Sequence, residues 1–139
     1  MTRSQSFTAA AVLATTLACP VAAHAHDFVD EARVTPLMSE PLAGVPGKVG
    51  TLLQVEYPPG GHTDKHHHPG ADTFVYVLSG RLEMQVEGKP RVTLGPGQTF
   101  HETPGDVHLV SRNASATQPA RFLVFFVQGA GSAPVVPVK

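Results

Sequence analysis

The chain carries one cysteine in 139 residues, Cys19. That residue falls in a leader-like N-terminal stretch, so the mature chain is expected to hold no thiol. Disulfides and thiolate metal ligands are thereby excluded, and the fold must rest on an apolar core or an oligomer interface. An excess of charge of one sign is also missing. Ten Lys and Arg against eleven Asp and Glu leave a formal net charge of -1, or -2 once Arg3 goes with the leader. No basic patch stands out, so nucleic acid is not an expected partner. After the leader no run is long and apolar enough to span a bilayer, so no membrane association is expected once it is cleaved. No segment has the period of a three-turn helix, and there is no internal repeat of useful length.

What is present starts with that leader. Arg3 precedes an alanine-rich apolar stretch, Thr8 to Ala18, and then Ala23-His24-Ala25. The three-part pattern predicts a secretory signal peptide over 1–25 and a periplasmic or secreted protein. About 114 residues remain, enough for one domain. Residues 26–47, with prolines at 36, 41 and 46, are expected to form an extended N-terminal arm with a short turn of helix. Residues 48–127 alternate apolar and polar side chains between Gly and Pro turns, which predicts many short strands. Residues 128–139 are rich in Gly, Ala and Pro and are expected to form a flexible tail. The fold class is therefore all-β: an antiparallel sandwich or small barrel.

The stretch Gly60-Gly61-His62-Thr63-Asp64-Lys65-His66-His67-His68-Pro69-Gly70 is the most informative. On a strand, residues two apart share a face about 6.6 Å apart along the chain. His66 and His68 can converge on one ion while His67 points away. A third imidazole is expected from His108, which follows the tight Pro104-Gly105 turn. Three neutral imidazoles with open positions suit a divalent transition metal: Fe, Mn, Zn, Ni or Cu. Phe100 is expected to face the core, so Glu102 shares its face. A carboxylate turned inward needs a partner, either as a fourth ligand or beside a ligand histidine. His62, next to the Gly60-Gly61 turn, could reach the mouth of the fold in a substrate role. His101 is expected to point outward, Tyr76 shares the parity of Phe74 and Leu78 and is read as sheet packing, and Arg81 and Arg121 are read as solvated strand positions.

These residues resemble the two motifs of the cupins. Gly60-x5-His66-x-His68 with Val77-Leu78-Ser79-Gly80 is similar to the first. Gly97 to Thr103, then Pro104-Gly105-x-x-His108 and Asn113, is similar to the second. The resemblance covers about Lys48 to Val127. It implies a small double-stranded antiparallel β-barrel of jelly-roll type, often a homodimer, with a metal held inside by the motif histidines. The pattern departs in three places. Asp72 and Thr73 occupy the region of the usual motif-one glutamate, with Thr73 at its position by count and parity. Thr103 stands where proline is usual, and Asn113 comes one residue late. Asp72, Thr73 and Glu102 thus stay open as a fourth or outer ligand.

Two functions fit. An open metal site at the mouth of an apolar barrel suits an enzyme acting on a small organic substrate, such as an oxygenase, decarboxylase or isomerase. A cupin can equally bind a metal or small ligand without turnover, and the missing motif-one glutamate favours that alternative.

Overall fold

A computed structural model describes residues 32–139. The expected signal peptide at 1–25 lies outside the described residues. Among the described residues eleven strands follow one another: β1 Arg33–Pro41, β2 Lys48–Tyr57, β3 His62–Thr63, β4 His66–His67, β5 Asp72–Ser79, β6 Leu82–Val86, β7 Val92–Leu94, β8 Thr99–Glu102, β9 Val107–Asn113, β10 Ala120–Gly129 and β11 Val136–Pro137. Among the described residues there is no helix. The turn of helix expected in the arm is therefore corrected. Arg33–Pro41 is instead an edge strand, antiparallel to β2, with an irregularity between Pro36 and Met38. Prolines are tolerated there because an edge strand has N–H positions that pair with nothing.

The strands form two sheets, in the orders β1-β2-β10-β5-β8 and β11-β4-β9-β6-β7, with β3 also paired to β9. This is a double-stranded jelly roll. The sheets lie face to face, as the jelly-roll reading expects, and do not close into one hydrogen-bonded barrel. Period-two alternation fills the space between them. Strand β5 turns Thr73, Val75 and Val77 inward, and β10 turns Phe122, Val124 and Phe126 inward. Leu82, Met84 and Leu94 answer from the other sheet. Each such aliphatic or aromatic side chain contributes about 1.5–3 kcal/mol on burial.

Turns hold the strands at fixed offsets. Gly80 ends β5 with φ +78°, and a Cβ there would lie 2.6 Å from the Ala120 Cα. Only glycine fits both the backbone conformation and that approach. Asn113, the motif-two asparagine, braces loops. Its amide donates to the carbonyls of Pro58 at 3.0 Å and Gln118 at 2.7 Å.

The C-terminal residues differ from the flexible tail expected at 128–139. Strand β10 runs to Gly129, and Val136–Pro137 pairs antiparallel with His66–His67 as the edge of the second sheet. Composition misleads here because β11 is stabilised by a non-local partner, not by its own propensity.

Candidate metal centre

The three histidines meet because two strands pair in one register. His66 on β4 and His108 on β9 are direct cross-strand partners. His68, two residues after His66, faces the same way, and Pro69-Gly70 then turns the chain into β5. His108 depends on a β-bulge. Val86 pairs with His108 and Gln85 pairs with Val110, leaving Leu109 as the extra residue. Without that bulge His108 would lie on the face opposite Ser111 and Asn113. With it, all three are buried. The Pro104-Gly105 turn before β9 is braced by Asp106, whose carboxylate accepts from the Thr103 N–H at 2.9 Å. That bond, helped by Lys89, holds the Asp106 carboxyl below its usual range.

The ring orientations are set from outside the cluster. His66 donates its Nδ1–H to the Asp64 carbonyl at 2.6 Å, and His68 donates its Nδ1–H to the Pro134 carbonyl at 2.5 Å. In both rings Nε2 is left with its lone pair. One ligand nitrogen from each of His66, His68 and His108 lies within 4.8 Å of the others. Burial, opposed by the Asp64 hydrogen bond, lowers the His66 pKa to about 4, and burial lowers that of His68 as well. At neutral pH these rings are uncharged, the state in which imidazole binds a metal.

Glu102 lies beside the cluster. It is 1 % exposed, and its Oε2 lies 3.2 Å from His108 Nδ1 and 3.7 Å from His68 Nε2. Neither approach is aligned as a hydrogen bond. Glu102 Oε2 and both ring nitrogens of His108 have no hydrogen-bond partner. Glu102 on β8 is the direct cross-strand partner of Thr73 on β5, whose buried Oγ1 is also without a partner. The carboxylate missing from the expected position is thus present one strand away. The Nε2 lone pairs of His66 and His68 converge beside a buried carboxyl oxygen and a His108 ring whose nitrogens make no hydrogen bond, an arrangement that a cation would satisfy. The residues fit a divalent metal.

The cluster lines a cavity of about 310 Å³ between the sheets. Val55, Val75, Met84, Phe122, Val124 and Phe126 belong to its apolar wall. A polar spot interrupts it: the Tyr57 hydroxyl lies 2.6 Å from Thr63 Oγ1 and 2.8 Å from Ser111 Oγ. Burial pushes the Tyr57 phenol upward, so it stays protonated. Three hydroxyl protons serve two mutual bonds, leaving one to donate elsewhere. Sequence reasoning passed over this trio, although Tyr57 shares the parity of the buried Val55.

Other expected site residues lie elsewhere. Asp72 is not beside the metal cluster. It points to the outer surface, where its Oδ1 lies 3.1 Å from His101 Nε2, and His101 stacks on Phe74. Parity places it there, since no bulge interrupts β5 against β8. His62 also lies off the cavity, in an outer groove with Lys65 and Arg112, its Nε2 3.3 Å from Asp64 Oδ1. His101 faces outward as expected, Tyr76 is exposed on the same outer face, and Arg81 and Arg121 are exposed.

Facing jelly-roll sheets around three histidines that could hold a metal ion define a β-sandwich of jelly-roll type. Residues 53–126 match the cupin domain family, and the chain belongs to it. No curated protein sequence matches significantly. Among solved structures, the chain is similar to the DMSP lyase DddQ from Ruegeria pomeroyi DSS-3, with 28% identity and a TM-score of 0.64 over 81% of this chain and 54% of that one. It spans about half the length of that lyase. A cupin-like protein from Thermotoga maritima MSB8 shares 23% identity and a TM-score of 0.62 over 79% of this chain and 77% of that one. An oxalate oxidase bound to the substrate analogue glycolate shares 23% identity and a TM-score of 0.60 over 86% of this chain and 68% of that one. These last two likenesses speak to the fold.

Proposed function

We propose that this protein is an exported, metal-dependent cupin enzyme acting on a small, mostly apolar organic molecule. His66, His68, His108 and Glu102 would hold one divalent transition ion. The carrying observation is that ligand nitrogens of three buried histidines lie within 4.8 Å of one another, beside a buried Glu102 oxygen that has no hydrogen-bond partner. When bound, such an ion supplies Lewis acidity, and with iron, manganese or copper also redox chemistry. The chain's own residues would do the rest. The apolar wall excludes water and selects ligands that fit about 310 Å³. The Tyr57, Thr63 and Ser111 hydroxyls offer one donated proton to an acceptor oxygen of the ligand and so orient it. The lyase likeness favours turnover over passive binding, as does Glu102 standing in for the motif-one carboxylate.

Export rests on the leader pattern at 1–25. A homodimer is supported by the outer face of the first sheet, where Phe74, Tyr76 and Leu78 are 44%, 46% and 39% exposed beside Leu52, Leu123 and Phe125. A row of this kind on a sheet that also ends in the open edge β1 suits a second copy.

The test is metal analysis of untagged protein, then consumption assays with a panel of phenolic and dicarboxylic compounds, with and without oxygen. One metal per chain and turnover of a panel member are expected. Stoichiometric metal with no turnover would leave a binding protein. No metal, and no change of Tm with a chelator, would overturn both.

A further inference from the structure

The C-terminal segment touches the centre through a hydrogen bond to His68. It begins at the end of β10 in the first sheet. A turn over Gly129 to Ser132 reverses it, closed by the Ser132 N–H donating to the Gly129 carbonyl at 3.2 Å. Gly131 holds φ +79°, as the third residue of such a turn requires. The Gln128 amide donates to the Ser132 carbonyl at 3.2 Å. The chain then crosses to the second sheet. Val136–Pro137 pairs with His66–His67, and the Val138 N–H donates to the Lys65 carbonyl at 3.0 Å. Between these anchors the Pro134 carbonyl accepts the His68 Nδ1–H, while Pro134 and Val135 form part of the cavity wall.

We propose that residues 130–139 are a strap that positions His68 for the metal and closes the cavity, so that strap docking and metal binding reinforce each other. The inference rests on the metal reading above. A neutral imidazole presents a lone pair on one nitrogen only when the other carries the proton. His66 gets that bond from Asp64, two residues away, on the same turn of chain. His68 gets it from a carbonyl 66 residues away, supplied by a segment held mainly by main-chain bonds. Undocking the strap removes the bond, frees the ring to rotate or to carry its proton on Nε2, and opens the wall beside it. Partners of this kind alter metal affinity by about 10–100-fold. Coupling is reciprocal, so metal must stabilise the docked strap by the same factor.

The test compares the full chain with a chain ended after Ser132 and with Val138→Pro, which deletes one strap N–H and leaves the Pro134 carbonyl. Zn(II) affinity is measured by competition with a chromophoric chelator. Ring 15N shifts of metal-free protein report which His68 nitrogen carries the proton. The shortened chain should bind zinc about 10–100-fold more weakly. Its His68 should lose the pure Nδ1–H form while His66 keeps it, and Val138→Pro should fall between. In the full chain, saturating zinc should slow hydrogen exchange of the Val138 amide. A folded shortened chain with unchanged zinc affinity and unchanged His68 shifts overturns the strap. If that chain does not fold, unchanged affinity and shifts in Val138→Pro overturn it. A full chain that binds no zinc overturns the metal reading and the coupling with it. The His68 shifts still decide whether the strap sets the tautomer.

Discussion

Two carboxylate–histidine groups sit back to back across the β5–β8 pair. On the outside Asp72 meets His101 at 3.1 Å, both about half exposed. On the inside Glu102 lies 3.2 Å from His108 and 3.7 Å from His68, all buried. Asp72 precedes Thr73, and His101 precedes Glu102, so each strand contributes neighbouring residues to opposite faces. The chemistry of the side chains is nearly the same; the dielectric is not. Water screens the outer pair to a small value. Inside, polar groups left without hydrogen-bond partners are costly, and a cation held among them would relieve that.

Variants can break this contrast. The largest effect is expected from His66→Ala, which should abolish stoichiometric metal binding, while His101→Ala leaves it unchanged; metal analysis after gel filtration checks both. Next comes acid. His66 titrates near 6.5 when unfolded and about 4 when folded. Between those values the unfolded chain holds a proton that the native ring refuses. Stability of metal-free protein is therefore full above pH 6.5 and falls as pH drops toward 4, by about 3 kcal/mol for this group. The lowered His68 acts in the same direction. Urea titrations across that range measure the loss, and a flat profile would contradict a buried neutral pair.

Glu102→Gln should have opposite signs in the two states. Its amide can donate to the imidazole lone pairs, so metal-free protein gains about 1–3 kcal/mol. Metal affinity drops about 10–100-fold. Equal stability and equal affinity would remove Glu102 from the centre. The smallest effect belongs to Asp72→Asn, which should shift stability by less than about 1 kcal/mol and metal affinity not at all. A clear affinity change there would mean that the two faces communicate.

Much of the core was legible because strand alternation is local. Val75 and Val77 inward, Phe74 and Tyr76 outward, and Glu102 on the face of Phe100 all follow from period two. The inward turn of His108 agrees with the motif, but parity alone would mislead, because the bulge at Leu109 shifts the phase within β9. A bulge depends on what the neighbouring strand offers, and one strand's residues do not show it. Thr73 at the glutamate position was readable by counting. That Glu102 lies directly across from it was not, since cross-strand register is a pairing between distant segments.

By itself the amino-acid order determined the all-β class, the faces of each strand and the three imidazoles, since these follow from side-chain chemistry and a two-residue period. Tertiary structure alone decided that Glu102 lies directly across from Thr73, that Tyr57 meets Thr63 and Ser111, and that a Gly- and Pro-rich tail binds His68. Those contacts join residues far apart in the chain. They depend on register, bulges and sheet packing, which no local window contains.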